Sequence, residues 1–182
     1  VEGVTLVAEP KANPAILRAF PGVIRCPAEN VLDRVLGPSM TRRRGELPNG
    51  ATVAHLAYYL ARHLGCDPVI LVGQDLGFTD GQYYSEGAAI HTVWGPELGE
   101  FRTLEMFEWE RIARMPSLLR RTTDHLGRPV YTDEQMATYL VQFERDFMAD
   151  EARGLRVIDA TEGGVCKQHT RVMPLAEALA SF

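Results

Sequence analysis

The stretch TVAHLAYYLARHLGCDPVILVGQD, residues 52–75, decides the fold. Its apolar residues recur at intervals of three and four residues as far as Leu64, which predicts a helix over 52–64. Gly65 is typical of the position just after a helix, where glycine ends the helix in left-handed backbone. The unbroken apolar run 69–72 then predicts a strand that is buried on both faces within a parallel sheet.

The flanking sequence continues this alternation of helices and strands. The apolar run 155–158 predicts a second interior parallel strand, and the periodicity of 132–148 predicts a helix on the sheet that begins with a capping box at Thr132. Residues 120–131 are predicted to form a hairpin that turns near Leu126. Such alternation is typical of α/β folds with a largely parallel sheet. The other predicted elements are strands at 4–8 and 23–26, helices at 14–20, 29–36, 102–114 and from Pro174 onwards, and a loop at 37–48.

Composition and charge narrow the class of protein. The 182 residues predict a single α/β domain, 1–182, and 19 basic against 24 acidic residues argue against a nucleic-acid-binding surface. The three cysteines are far apart, which predicts reduced thiols, and no apolar run approaches the roughly 20 residues of a membrane span. We therefore expect a cytoplasmic domain that binds neither nucleic acid nor membrane, and homo-oligomerisation stays open. Because the chain begins at Val1, we expect it to be part of a larger protein.

Two candidate binding loops follow the two predicted buried strands. The first is Gly73-Gln74-Asp75, and the second lies within Asp159–Gly164 and contains Thr161, Glu162 and Gly163. Open α/β sheets bind ligands at the carboxyl ends of their strands, where a carboxylate can accept from sugar hydroxyls or act as a base. The alternatives are that Asp75 only caps its turn and that the second loop is an ordinary glycine turn.

A third candidate lies before the helix at 52–64. The first backbone N–H groups of a helix have no partner within it, so they form a ready anion site to which Asn49 and Thr52 can add donors and which Gly50 lets a ligand approach. Ordinary capping by Asn49 or Thr52 is the alternative. Parallel topology predicts that Gly50 and Asp75 lie near each other at one edge of the sheet.

The region 77–100 is rich in glycine and aromatic residues and has little periodicity, which predicts a binding loop or lid. The phenols of Tyr83 and Tyr84 are candidates to hydrogen-bond a leaving phosphate. The same loop also contains residues that could act as a general base. The alternative for a lone histidine is a structural role. The candidate bases are His91, Glu86 and, from the hairpin, His125. No Walker lysine motif, dinucleotide-binding glycine motif or zinc-like cluster is present, so no metal site is predicted.

Several separated motifs resemble those of one known family, that of the motility-associated factor (Maf) glycosyltransferases and the 6-hydroxymethylpterin diphosphokinase MptE-like proteins. The resemblance covers about residues 45–180. The motifs that carry it are PNGATVA at 48–54, LGCDPVILVGQDL at 64–76, TDG at 79–81, Glu86-Gly87, GRPVYT at 127–132 and DATEGG at 159–164.

The Maf members of the family imply a function and a fold. They are implied to transfer a nonulosonic, sialic-acid-like sugar from a CMP-activated donor to Ser or Thr of a protein such as flagellin, without a cofactor. The implied fold is a Rossmann-like, mostly parallel sheet with helices on both faces, similar to bacterial α/β sialyltransferases. On this pattern Asn49-Gly50 meets the donor, Gly73-Gln74-Asp75 lines its pocket, and Tyr83 or Tyr84 assists the departing phosphate.

The resemblance also leaves two other functions open. The archaeal members imply a 6-hydroxymethylpterin diphosphokinase, which needs ATP and Mg²⁺. A catalytically inactive nucleotide-binding or assembly module is the third alternative. The Gly37-Pro38-Ser39-Met40 sequence is out of place for the nucleotide loop of the family, so we expect the chain to lack the N-terminal half of the family's sheet.

Overall fold

The computed structural model describes residues 3–9, 12–20, 22–25, 35 and 47–181. The chain divides into two compact units, Val1–Cys66 and Asp67–Phe182. The predicted helix at 29–36 and the predicted loop at 37–48, with its Gly37-Pro38-Ser39-Met40 sequence, lie almost entirely outside the described residues.

The described residues of the first unit include a parallel pair of strands and two helices. Strand β1 is Thr5–Ala8 and pairs in parallel with β2, Gly22–Arg25, while helix α1, Pro14–Ala19, connects them. Helix α2 is Val53–His63, which confirms the helix predicted from periodicity. The residue after its C-cap, Gly65, has a φ of 77°, so the predicted left-handed helix end is confirmed as well.

The second unit contains five strands and four helices within the described residues. Its strands are β3 Val69–Leu71, β4 Leu119–Thr123, β5 Pro129–Asp133, β6 Val157–Asp159 and β7 Arg171–Val172. Its helices are α3 Ala89–Trp94, α4 Leu104–Ala113, α5 Glu134–Glu151 and α6 Leu175–Ala180. The prediction of a mixed α/β fold with helices and a small parallel sheet is confirmed, whereas the Rossmann-like and sialyltransferase-like descriptions stay predictions.

The parallel sheet of this unit has the order β3–β6–β7. All three residues of β6 are buried, so the segment predicted at 155–158 is an interior strand, shifted slightly along the chain. The prediction that 69–72 is also interior is wrong within the described residues, because β3 is an edge strand of this sheet. Its apolar residues are nevertheless shielded, since Ile70 packs against a core that includes Ile158. An apolar run reports how well the faces of a strand are covered, not how many strands pair with it.

The antiparallel hairpin β4–β5 leads directly into α5, and both elements were predicted. The predicted capping box is wrong by one residue: Asp133, not Thr132, caps α5 by accepting from the Met136 N–H at 2.7 Å. Thr132 lies within β5, and its hydroxyl donates to the Leu76 carbonyl oxygen at 2.8 Å, so it already has a partner in another loop. None of the described helices is sufficiently long and apolar to cross a membrane.

Candidate functional site

The loops that follow β3 and β6 lie against each other. The Gln74 N–H donates to Thr161 Oγ1 at 3.2 Å, and the Val165 N–H donates to the Asp75 carbonyl oxygen at 2.7 Å. The structure therefore brings together the two loops that the sequence places at the carboxyl ends of parallel strands. We call this region the strand-end site. It comprises residues 73–79 and 159–165.

Asp75 lies close to both glycines of the second loop. A Cβ on Gly164 would lie 2.3 Å from Asp75 Cα, and one on Gly163 would lie 3.5 Å from Asp75 Oδ1. The same Oδ1 accepts from the Thr79 hydroxyl at 3.3 Å, so the turn-capping interpretation accounts for one of the two carboxylate oxygens. Asp75 Oδ2 has no hydrogen bond to any described residue, and the side chain is half-buried. This oxygen is therefore open to a ligand group.

His125, near the tip of the hairpin, reaches the same loop. Its Nδ1 lies 3.1 Å from the carbonyl oxygen of Gly163. Because a carbonyl oxygen only accepts, Nδ1 carries a hydrogen, and in the neutral imidazole the lone pair is on Nε2. Nε2 makes no hydrogen bond within the described part of the chain. His125 thus has the tautomer and the half-buried position that a general base needs, and it contacts the glycine that neighbours Asp75 Oδ1.

The carboxylate of Asp124 orders the hairpin tip that carries His125. It accepts from the Leu126 N–H at 2.9 Å, from the Arg128 N–H at 2.7 Å and from Arg128 Nε at 2.8 Å. Burial desolvates the carboxyl and raises the pKa of Asp124, but the hydrogen bonds from Arg128 and Leu126 outweigh this effect and leave the pKa below its ordinary value of 3.8. The backbone of Asp124 also forms a β-bridge with Val165, which joins the hairpin to the second loop.

A buried ion pair, which sequence reasoning missed, makes hydrogen bonds to the backbone of the second loop. Asp159, the last residue of β6, is bonded through Oδ2 to Lys167 Nζ at 2.9 Å. The side chain of Lys167 is 0% exposed and that of Asp159 is 2% exposed. Lys167 Nζ also donates to the Val165 carbonyl oxygen, and Asp159 Oδ1 accepts from the Thr161 N–H, both at 3.2 Å. Lysine is normally a surface residue, so its local sequence gave no signal for this pairing.

Two of the predicted ligand-binding residues, Glu162 and Gly73, also have structural roles in the strand-end loops. The Glu162 carboxylate accepts from the Leu175 N–H at 2.8 Å, at the start of α6, so one of its oxygens has a structural partner. Gly73 has a φ of 64°, which favours glycine, and a Cβ built on it would have no neighbour within 4 Å. Glycine is therefore needed at position 73 because of the backbone conformation, and not because another part of the protein packs against it.

The predicted aromatic loop contains a continuous series of ring contacts. Phe78 stacks on Tyr83 with a centroid distance of 5.5 Å, Tyr83 meets Tyr84 edge-on at 5.0 Å, and Tyr84 lies 5.7 Å from Trp94. Phe78 and Trp94 are buried, whereas both tyrosines are exposed. The Phe78 N–H donates to the Tyr131 carbonyl oxygen at 2.7 Å, which joins this series to the hairpin strand β5. The two candidate phenols thus stand on the surface of an ordered aromatic cluster.

His91 and Glu86 belong to this aromatic loop rather than to the contacts of Asp75. His91 Nε2 lies 3.0 Å from Glu108 Oε1, and Glu108 Oε2 accepts from the Tyr83 N–H at 3.2 Å. Glu108 is buried, so it links two parts of the loop to helix α4. Glu86 is exposed. His91 therefore has a structural carboxylate partner, while His125 is the candidate base that contacts the strand-end site.

The predicted anion site lies in the first unit. Thr52 is the N-cap of α2: its Oγ1 accepts from the His55 N–H at 3.4 Å and lies 3.0 Å from His55 Nδ1, as the capping alternative holds. A Cβ on Gly50 would lie 2.4 Å from His55 Cβ, so Gly50 is needed for packing on the first turn of the helix. Asn49 is exposed. The proximity of Asn49 and Gly50 to Asp75 stays a prediction.

A cavity of about 640 Å³ lies at the opposite ends of the strands. It is lined where β6 and β7 begin, so it is separate from the strand-end site. Three of the four ionisable side chains that line it already form ion pairs, His169 Nδ1 with Glu151 at 2.8 Å and Arg156 with Asp67 at 3.2 Å, and Arg171 is the fourth. Because ligands of α/β sheets bind at the carboxyl ends of strands, we assign the candidate chemistry to the strand-end site.

Comparison with known families gives a match to the first part of the chain. The family model described as 6-hydroxymethylpterin diphosphokinase MptE-like matches residues 1–81, which confirms the resemblance to that family. The match begins upstream of the motifs on which the resemblance rests and includes the first strand-end loop, 73–79. The Maf glycosyltransferase part of the resemblance stays a prediction. No curated protein and no solved structure matches the chain.

Proposed function

We propose that the strand-end site catalyses group transfer from a nucleotide-activated donor, and that the group is a nonulosonic sugar carried by CMP and delivered to a Ser or Thr hydroxyl of a protein such as flagellin. The observation that supports this most directly is that His125 bonds to the carbonyl oxygen of Gly163, a residue on which a Cβ would lie 3.5 Å from Asp75 Oδ1. A carboxylate and a neutral imidazole held at one place can bind and deprotonate an acceptor hydroxyl.

The proposed reaction is a direct displacement. His125 Nε2 takes the proton of the acceptor hydroxyl, whose oxygen forms a bond to the anomeric carbon of the sugar. The bond from that carbon to the phosphate oxygen breaks, and its electron pair leaves with CMP. Asp75 Oδ2 accepts from a sugar hydroxyl, and the phenols of Tyr83 and Tyr84 donate to the phosphate as its charge develops.

A 6-hydroxymethylpterin diphosphokinase is the second candidate, and the description of the matching family favours it. This reaction transfers a pyrophosphoryl group from ATP, and its Mg²⁺ ordinarily needs only one or two protein carboxylates in addition to phosphate oxygens. Asp75 fits that requirement, since its Oδ2 is the open carboxylate oxygen of the site. His125 would then deprotonate the hydroxymethyl group.

Ligand stabilisation separates these candidates. A ligand that binds only the folded state at about 100 times its Kd adds about 2.7 kcal/mol to the free energy of unfolding. We expect CMP to raise the melting temperature more than ATP with Mg²⁺ does. A larger, Mg²⁺-dependent shift with ATP would support the kinase instead. If no nucleotide changes the melting temperature, the result would favour the third alternative, a catalytically inactive module.

Substitution of Asp75 tests the site itself. Asp75→Asn keeps the size of the side chain and removes its charge, so we expect loss of transfer with the fold retained. Asp80→Asn is the matched control, because Asp80 is an exposed carboxylate on the adjacent turn. Equal activity of the two variants would remove Asp75 from the mechanism.

Substitution of the two histidines identifies the base. Loss of a general base ordinarily costs about 10²- to 10⁴-fold in rate, so we expect His125→Ala to fall by that factor. His91→Ala should affect mainly the order of the aromatic loop, because its ring is paired with Glu108. A large loss of kcat in His91→Ala, with His125→Ala active, would reverse the assignment.

A further inference from the structure

The Asp159–Lys167 ion pair has contacts that a purely stabilising pair does not need. Besides each other, the two side chains bond to the Thr161 N–H and to the Val165 carbonyl oxygen, at the two ends of the second loop. Each end is bonded in turn to the first loop: Thr161 Oγ1 to the Gln74 N–H, and the Val165 N–H to the Asp75 carbonyl oxygen. The pair is therefore one hydrogen bond away from both contacts that join the loops.

The burial of the pair also indicates that it does more than stabilise the fold. Removing two charges from water is costly, and apolar residues of similar volume often replace a buried ion pair with no loss of stability. The side chains of this pair are 0% and 2% exposed, so stabilisation alone does not explain why charged residues occupy these positions. Apolar residues would not supply the hydrogen bonds that Lys167 Nζ and Asp159 Oδ1 make to the backbone of the loop. These two bonds fix the loop on both sides of Gly163.

We propose that Asp159 and Lys167 are positioning residues, which hold the second loop so that its Gly163 carbonyl keeps His125 in place and its Val165 N–H keeps Asp75 in place. They contact neither donor nor acceptor; they act through the loop. The consequence for donor binding rests on the proposed function, whereas the consequence for the loop does not.

The test uses a charge-neutral double substitution in the full chain. Lys167→Met alone leaves a buried, unpaired carboxylate and is expected to unfold the second unit. The double variant D159N/K167M removes both charges, keeps an oxygen at position 159 that accepts from the Thr161 N–H, and keeps the length of the side chain at 167. The control is R120M/E134Q, which removes the exposed Arg120–Glu134 pair (3.0 Å) from the same unit.

Amide hydrogen exchange followed by NMR is the first measurement. In D159N/K167M we expect the Val165 amide to exchange at least about tenfold faster, the factor that corresponds to loss of one hydrogen bond's net contribution. Amides within α5 should keep their protection, as all amides should in R120M/E134Q. Unchanged protection at Val165 overturns the proposal. A uniform loss of protection overturns it too, because the pair would then only stabilise the fold.

CMP affinity, measured by calorimetry on the same proteins, is the second measurement. We expect binding to D159N/K167M to weaken about tenfold, with the affinity of R120M/E134Q unchanged. If the Val165 amide loses protection and CMP affinity does not change, the pair positions the loop but not the site, and the proposal fails. If the unsubstituted protein binds no nucleotide while Val165 still loses protection selectively, the proposed function fails and the positioning of the loop stands.

Discussion

Gly164 makes the closest approach between the two loops, and replacing it with alanine should separate them. Its φ is 73°, a conformation that glycine adopts readily and alanine does not. A methyl group on Gly164 would also lie 2.3 Å from Asp75 Cα and 2.4 Å from the Asp75 carbonyl oxygen. These are backbone atoms, so no side-chain rotation relieves the clash. The Asp75 carbonyl oxygen is the one that accepts from the Val165 N–H.

The expected loss of stability follows from these two effects. Left-handed backbone costs an L-residue about 1–2 kcal/mol, and an extra methyl group in a well-packed position costs about 1–3 kcal/mol. Gly164→Ala should therefore lower the free energy of unfolding by about 2–5 kcal/mol, a large part of the roughly 5–15 kcal/mol of a typical domain.

Gly163→Ala is the matched control at the adjacent position. A methyl group there would lie 3.5 Å from Asp75 Oδ1 and 3.6 Å from Thr79 Cγ2, which are ordinary contacts. Where the native backbone accepts alanine, this change stabilises a protein by about 0.4–1 kcal/mol through the unfolded chain. We therefore expect Gly163→Ala to be at least as stable as the unsubstituted protein.

Urea denaturation followed by tryptophan fluorescence measures both variants. The chain has two tryptophans, at positions 94 and 109, so the signal comes from the second unit alone. With a urea dependence of about 2 kcal/mol per molar, the midpoint of Gly164→Ala should fall by about 1–2.5 M. A midpoint for Gly164→Ala within error of the unsubstituted protein, or an equal fall in Gly163→Ala, would refute the close approach on which the site depends.

Two further predictions concern other parts of the chain. The lowered pKa of Asp124 means that the ionised carboxylate stabilises the folded state. This contribution to the free energy of unfolding is complete above the ordinary pKa of 3.8 and is lost as the pH falls through the pKa of the folded state. We therefore expect the stability of Asp124→Asn, measured by tryptophan-monitored denaturation, to depend less on pH under acidic conditions than that of the unsubstituted protein. Equal pH dependence in both proteins would contradict this. In the first unit, Gly50→Ala should destabilise α2 by about 1–3 kcal/mol because its methyl group would meet His55 Cβ at 2.4 Å; hydrogen exchange of the α2 amides measures it, and unchanged exchange would speak against that contact.

The local sequence was sufficient to predict several elements in each unit. Helix α2, strand β6, the hairpin and helix α5 follow from patterns within a single stretch of chain, since an amphipathic or apolar run reflects only which faces are covered. The meeting of the two loops also followed, because parallel strands present their carboxyl ends at one edge. The pairing of Gln74 with Thr161, 87 residues apart, shows that this inference holds for the second unit.

The residues that sequence reasoning missed are polar residues with distant partners. Lys167 and Glu108 are of types that are usually exposed, yet both are buried here and make their contacts across 8 and 17 or more residues. Thr132 matched a capping box, but the distant Leu76 carbonyl oxygen takes its hydroxyl, and Asp133 caps the helix instead. A local pattern contains no information on such competition, because each partner arrives only with the tertiary fold.

Backbone strain marks the same two loops. Leu76, with a φ of 50°, and Glu162, with a φ of 60°, are left-handed although neither is glycine. Such residues cost about 1 kcal/mol or more and persist where surrounding contacts over-determine the backbone. Those contacts are present: the Leu76 carbonyl oxygen accepts from the Thr132 hydroxyl, and the Glu162 carboxylate accepts from the Leu175 N–H. Asp80 and His169 are left-handed as well, and His169 lines the opposite cavity, so the strain shows where contacts over-determine the backbone and does not by itself assign a ligand to the two loops.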